Sequence, residues 1–549
     1  MKHWDRAGLY WHTLRHLRPV QFYGRLWFRL HRPQADLAPA PALRTPAGPW
    51  TAAARRNPSL SGPRDFVFLG QGGRLEEVGW DGPQREKLWR YNQHYFDDLN
   101  AGGAAARRAW HQALLADWVQ HNPPGTGNAW EPYPTSLRIV NWVKWSLYGQ
   151  ALSAACLHSL AVQVRWLRQR LERHLLGNHL FANAKALVFA GLHFEGPEAR
   201  GWLQLGLRIL QRELKEQVLA DGGHFERSTL YHALALEDML DLCNAMRCQV
   251  QALSPAEQGL AAQWRETAAH MQRWLQDLRH PDGEIAFFND AALGVAPSCI
   301  ELGAYARRLE LPAPPAPAAR WLDSSGYARL QNGPAVALLD MARVGPDYLP
   351  GHAHADTLSF ELSLHGQRLL VNSGTSCYGA SAERLRQRGT AAHNTVVVDG
   401  QDSSQVWSGF RVARRARPLS PQVSLDPEVQ QASCAHDGYR RLPGAPVHRR
   451  RWRLDGQGLL VQDEVRGPHH TAQARFHFHP DVRVEIEPDH RHGRATLSGG
   501  PDVRWQATAG LARLEASTWH PRFGQSLPNR CLALDLVDGH AGLQLNWSE

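Results

Sequence analysis

A change of period at Leu311-Pro312-Ala313-Pro314-Pro315-Ala316-Pro317-Ala318 limits what this chain can fold into more than any other feature. So dense a run of prolines cannot continue a helix or donate to a sheet ladder, so it reads as an extended linker. Before it, apolar residues recur at helical spacing over 110–118, 136–148, 152–175, 183–194, 199–219, 231–250 and 255–278. After it, short alternating segments at 335–339, 358–364, 395–398, 449–454, 459–461 and 474–479 are separated by Gly, Asp and Pro turns. The pattern predicts an α+β multidomain chain, with a helical array over 85–310, a linker over 311–319 and an antiparallel β-sandwich over 320–549. With 549 residues, the chain exceeds what one hydrophobic core usually supports.

Residues 1–84 stand apart as a basic lead-in. Residues 1–32 read as one or two amphipathic basic helices, with Trp11, Leu14, Leu17, Phe22, Leu26 and Phe28 spaced as a buried stripe. Such helices also lie on membranes. Packing against the next domain is the expectation, because Arg15, Arg18 and Arg25 interrupt the apolar positions. Residues 33–63, rich in Pro and Ala, are expected to wrap the surface without regular structure.

The formal charge of +9 favours anionic partners. No Walker loop or RNA-binding signature accompanies it and the arginines are dispersed, so nucleic acid is not expected. The 21 Trp and 12 Tyr suit sugar-ring platforms as well as cores. No apolar run is long enough for a membrane span, and no apolar h-region follows Met1, which makes the cytoplasm the expected compartment. The seven cysteines are irregularly spaced and form neither a disulfide framework nor a CxxC metal site.

Chemistry concentrates in a few motifs. Gly351-His352-Ala353-His354-Ala355-Asp356 sets two imidazoles two residues apart before an apolar run, and on a strand both rings would share a face. Asn372, after Leu369-Leu370-Val371, and His393, before Asn394-Thr395-Val396, stand beside β-type segments, so His354, Asn372 and His393 are candidates to meet around a metal. A hydrogen-bonded polar cluster is the alternative. Asn178, in Gly177-Asn178-His179, offers an amide on a loop between helices, or simply ends the preceding helix. Tyr231 follows Ser228 and Thr229, either of which can cap a helix and place the phenol at its positive end, where phenolate is favoured; an isolated helical Tyr is otherwise core.

Taken together, His352-Ala353-His354-Ala355-Asp356, Asn372-Ser373-Gly374-Thr375, Ala392-His393-Asn394-Thr395, Gly177-Asn178-His179-Leu180-Phe181-Ala182-Asn183 and Asp221-Gly222-Gly223-His224-Phe225-Glu226-Arg227-Ser228 resemble the heparinase II/III-like polysaccharide lyases, in order, over about 85–480. The resemblance implies an incomplete (α/α) toroid followed by an antiparallel β-sandwich. It implies β-elimination on an acidic, uronic-acid polysaccharide, with Asn178 neutralising the carboxylate, Tyr231 as acid and base, and His352 as base. It also implies a structural divalent metal, zinc first, on His354, Asn372 and His393, where an amide in place of the Asp often present weakens the site. Asn92, His94, Tyr95, Tyr133, Arg138, Asn141, Trp142, His179, His224, Glu226 and Arg227 are the implied substrate-cleft residues, although Glu226 also suits a helix cap. Two rivals remain: a glycoside hydrolase using two of Glu226, Asp238 and Asp282, and a non-catalytic glycan-binding protein of bacterial polysaccharide assembly.

Overall fold

The computed structural model describes residues 3–500 and 502–547. Two helices, α1 (His3–Leu14) and α2 (Pro19–Leu30), lead the chain. The helical half then comprises Lys87–Tyr95, Arg108–His121, Pro132–Leu147, Ala154–Gln169, Gly177–His193, Gly196–Gln217, Thr229–Cys248, Pro255–Asp277 and Cys299–Arg308. The seven helices expected from periodicity are all present. Serine caps start four helices of this half: the Ser153, Ser228, Ser254 and Ser298 hydroxyls each accept the N–H three residues on. Trp118, Trp142 and Trp202 are fully buried among them. The Gly177–His193 helix is buried on nearly every side, and Gly206 of the next helix crosses so close that a Cβ there would lie 2.7 Å from the Ala184 carbonyl oxygen.

After the linker come antiparallel sheets. A five-stranded meander runs Arg320–Leu322, Tyr327–Asn332, Ala335–Asp340, Phe360–Leu364 and Gln367–Leu370. A four-stranded sheet orders Leu511–Trp519, Leu527–Asp535, Ala472–His477 and Val396–Val398, and an eight-stranded sheet is centred on Val447–Leu454, Gly458–Arg466 and His540–Trp547. The sheets share one apolar core, with Phe360, Trp452, Phe476, Trp505 and Leu532 contributed from all three.

Three expectations change. Residues 60–74 form three short paired strands (Leu60–Gly62, Asp65–Phe68, Gln71–Arg74), so the lead-in is not wholly irregular. The stripe expected to be buried in α1 and α2 is mostly inverted: Trp11, Leu14, Phe22 and Leu26 are exposed and Leu17 is half-buried, whereas Phe28 packs inward as expected, beside Gln21 and Gly24. His352 and His354 lie in the loop leading into Phe360–Leu364, not on a strand, and His393 precedes Val396–Val398 of a different sheet. Their convergence is made at a seam between sheets.

Candidate active site

A cleft of about 1630 Å³ runs between the two halves, lined by Asn178, His179, Glu226 and Tyr231 on one side and by Gly351, His352, Tyr378 and Phe410 on the other. Asn178 sits in the first turn of Gly177–His193. It neither belongs to a connecting loop nor ends the previous helix, because Leu176 and Gly177 take left-handed backbone (φ 63° and 52°) that turns the chain into the new one. Glycine suits that φ, which other residues rarely adopt, and a Cβ on Gly177 would also crowd the end of the Leu349 side chain from the sheet half. The Asn178 amide is half-buried, and among the described residues no protein group hydrogen-bonds to it.

Tyr231 lies in the first turn of Thr229–Cys248, where Ser228 Oγ accepts its N–H at 3.1 Å, the expected cap. Its ring stacks on His352 with centroids 3.7 Å apart, and its hydroxyl meets that of Tyr378 at 2.9 Å. The helix end was expected to favour phenolate. Burial wins, pushing the Tyr231 pKa well above 10, with Tyr378 and Asp290 adding to it. The resting group is a neutral phenol able to donate a proton.

His352 is oriented by a residue the sequence did not single out. Its Nδ1 donates to Asp290 Oδ2 at 2.8 Å, which turns Nε2 toward the cleft, 3.8 Å from the Glu226 carboxyl. The same Asp290 carboxylate accepts His354 Nε2 at 2.8 Å and the buried Arg384 guanidinium, whose Nη2 lies 2.7 Å from Oδ2. Burial alone would raise the Asp290 pKa, but Arg384, His352 and His354 hold it well below the usual carboxylate range. Both rings of the His-x-His motif therefore do share a direction, set by one carboxylate. Glu226 is the opposite case. It is buried, neither carboxyl oxygen has a hydrogen-bond partner, and burial raises its pKa despite His352 and His179 nearby. His179 bonds Glu172 through Nδ1 at 3.1 Å; burial opposes its charge, yet Glu172 raises its pKa.

The remaining expected cleft residues divide. Asn92, Tyr95 and Tyr133 line the cleft. His94, Arg138 and Trp142 do not: His94 Nδ1 accepts the Trp118 indole N–H at 3.1 Å, and Arg138 is wholly buried, donating to Gln163 at 2.9 Å with its cation 4.0 Å above the Trp118 ring. Trp142 is core. Asn141 braces the wall from behind through the Tyr95 carbonyl (2.9 Å) and Asp97 (2.7 Å). His224 faces a small inner cavity behind the cleft, and Arg227 turns away to the Ser325 carbonyl at 3.0 Å. Polar residue types dense in a motif mark buried networks here as often as ligand contacts. Tyr378, Asp290 and Arg384 were missed because each is an ordinary residue in its own segment and gains its place only from tertiary folding.

The ligand set for a metal is also corrected. His393 Nδ1 donates to the Gly389 carbonyl at 2.8 Å and His354 Nε2 to Asp290, so His393 Nε2 and His354 Nδ1, 3.1 Å apart, face each other as lone pairs. Burial keeps both rings neutral, lowering the His354 pKa to about 4. A carboxylate oxygen of Asp356 lies within 4.8 Å of a ring nitrogen of each histidine. Two facing lone pairs beside a carboxylate fit a divalent cation. The Asn372 amide is engaged elsewhere: its Oδ1 accepts the Asn394 N–H at 3.1 Å and its Nδ2 donates to the Phe287 carbonyl at 3.0 Å, which leaves Asp356 as the anionic donor of the group.

A helical half and stacked antiparallel sheets enclosing an Asn, Tyr and His cleft define the class to which the motifs pointed. The chain belongs to the heparinase II/III-like family: the heparinase II/III N-terminus matches residues 85–302 and the heparinase II/III-like C-terminal domain matches residues 314–542. It is 24% identical over 322 residues to a heparin-sulfate lyase of Pedobacter heparinus, covering 52% of this chain and 47% of that protein. It is 27% identical over 457 residues to FtsZ-localized protein C of Caulobacter vibrioides, covering 75% and 73%. The chain thus spans about half the length of the lyases it matches. Among solved structures, heparinase III superposes with a TM-score of 0.64 at 18% identity over 84% of this chain and 76% of that one. A heparan sulfate lyase from Pedobacter heparinus gives 0.59 at 18%, over 96% and 88%. At such identity these share the fold.

Proposed function

We propose that the protein is a polysaccharide lyase that cleaves a uronic-acid-containing glycan by β-elimination, on a helical half built as an incomplete (α/α) toroid. The observation that carries this reading is the stack of Tyr231 on His352 with the unpaired Asn178 amide and the unpartnered Glu226 carboxyl in the same cleft. A uronate carboxylate seated against the Asn178 amide loses the charge that would otherwise resist carbanion formation. His352 Nε2 then accepts the C5 proton while Asp290 steadies the imidazolium that forms. The C4–O4 bond breaks, its electrons leave with O4, Tyr231 donates a proton to that oxygen, and the C5 electron pair becomes the C4–C5 double bond. The names of the heparin-sulfate lyase relatives support a glycosaminoglycan as substrate. A zinc ion on His354, His393 and Asp356 would supply fixed positive charge, and its role is structural: it would hold the loop that presents His352.

The hydrolase alternative has less support. Asp282 is paired with Arg368 at 2.7 Å outside the cleft and Asp238 with Lys185 at 2.7 Å, so neither faces Glu226 as a free carboxylate. Incubation with a panel of acidic polysaccharides, read by the absorbance of the unsaturated uronate, tests the proposal; cleavage without the chromophore would return the hydrolase, and binding without cleavage the glycan-binding protein. Asn178→Asp places a like charge against the substrate carboxylate and should lower kcat/KM on the order of 10²–10³, the scale of a lost oxyanion-type donor. Unchanged turnover of that variant would remove Asn178 from the mechanism.

A further inference from the structure

Among the described residues, nineteen large apolar side chains are exposed, and eight of them lie in α1 and α2: Tyr10, Trp11, Leu14, Phe22, Tyr23, Leu26, Trp27 and Leu30. Both helices precede residue 85, where the matched family domains begin. Neither helix is loose. In α1, Thr13 Oγ1 accepts the Trp407 indole N–H at 3.1 Å and Tyr10 packs edge-on against the Trp407 ring, tying the helix to the sheet half. In α2, Gln21 donates to the Tyr348 carbonyl at 3.1 Å, and Phe28 lies 4.4 Å from the His174 ring with the Arg170 cation 3.7 Å above it. The inward stripe of α2 is therefore Gln21, Gly24 and Phe28, and its outward face is Phe22, Tyr23, Leu26, Trp27 and Leu30. Trp27 is 64% and Leu30 70% exposed, values that a water-facing surface does not favour in a cluster.

Charge says what covers this face. From Arg6 to Ala35 the chain carries six arginines and no acidic residue. Arg18 is neutralised by Glu216. Among the described residues Arg25, Arg29 and Arg32 have no carboxylate partner, and they alternate with the exposed apolar side chains. A groove of about 890 Å³ beneath α2 joins Tyr23, Leu26, Trp27 and Leu30 to Arg168 and Arg173 of the helical half, again without acidic partners, while Arg212 beside them is paired with Glu213. Indole and phenol rings mixed with leucine and unpaired guanidinium groups on a fixed, outward helix face match the boundary of an anionic bilayer, where apolar side chains enter the acyl region and cations meet headgroup phosphates.

We propose that α1 and α2 form a docking face for the surface of a lipid bilayer containing anionic phospholipid. No helix among the described residues is long and apolar enough to cross a membrane, so the attachment is peripheral. Phe28 and Arg29 of α2 also line the large cleft, so docking sets the cleft mouth beside the bilayer. The inference is independent of whether the cleft cleaves a glycan.

The test is co-sedimentation of the full chain with vesicles of phosphatidylcholine alone and of phosphatidylcholine with phosphatidylglycerol. The wild type should pellet with the anionic vesicles, release at high salt, and pellet poorly with the neutral ones. Two variants change only exposed side chains: Leu26→Ser/Trp27→Ser/Leu30→Ser, and Arg25→Gln/Arg32→Gln/Arg173→Gln. Each should lower the partition coefficient by about tenfold or more. Failure of the wild type to pellet, or undiminished pelleting of both folded variants, overturns the proposal. Light scattering that shows a dimer which the apolar variant converts to monomer, without vesicle binding, would give the face to a second copy of the chain and overturn it equally.

Discussion

At the scale of single residues, two acids in one site are pushed in opposite directions. Asp290 is held ionised by Arg384 and two imidazoles, whereas Glu226 is left with no partner and burial raises its pKa from the ordinary value near 4.5. A raised carboxyl pKa means that the folded state binds the proton more tightly, so the associated stability is present at low pH and is lost as pH rises through the folded value. Glu226→Gln keeps the volume and removes the titratable proton, and it should retain activity within about tenfold while losing the alkaline part of the stability decline. Thermal unfolding of both proteins across rising pH measures this, and parallel curves would show Glu226 to be ionised. Tyr231→Phe removes only the proton. Turnover should fall by about 10² or more with the fold unchanged, and near-normal rates would leave Tyr378 as the acid.

At the scale of elements, the loop preceding Phe360–Leu364 carries His352 together with His354 and Asp356, two of the three candidate cation ligands, so a bound metal would be mechanically joined to the proposed base. Dialysis against a chelator should lower the melting temperature of a metal-loaded sample, and Asp356→Ala should abolish that difference by removing the one anionic donor; metal content by elemental analysis checks it. An Asp356→Ala protein that still binds metal stoichiometrically would return Asn372 to the ligand set. Helices were legible in the sequence because apolar spacing and serine caps act locally, as at Ser228 before Tyr231. Strands such as Val447–Leu454 and Ala472–His477 were legible for the same reason, through alternation and turns. The site was legible only in part. Asn178, Tyr231 and His352 converge in one cleft as their motifs implied, but Asp290, Tyr378 and Asp356 acquire their meaning from long-range contacts that leave no periodicity. The exposed face of α2 was misread because amphipathic spacing shows that a stripe exists and not which side of it meets the protein.

At the scale of the molecule, burial of neutral histidines predicts how the fold fails in acid. His193 and His232 are lowered to about 4 and His224 to about 3, all by burial first. Depressed pKa values contribute stability that is present above the unfolded value of 6.5 and is lost as pH falls toward the folded values. The melting temperature should therefore drop steeply between about pH 6.5 and about 4, with proton uptake on unfolding of up to one per histidine, measurable from the pH dependence of the unfolding free energy. A flat profile there would show these rings already protonated in the native state.

Asp290 belongs to the segment that follows Pro255–Asp277, before the linker, yet its partners His352, His354 and Arg384 all come after it. Its neighbours continue the pattern: the Asn289 side chain accepts the His354 N–H at 3.0 Å, and the Leu293 N–H reaches the Pro521 carbonyl at 2.7 Å. A ribosome that has released only the first half has made the anchor without its histidine, and a fragment starting at residue 320 has the histidine without its anchor. The proposed base and its anchor thus come together only when both halves are present, so a fragment carrying either half alone should be inactive.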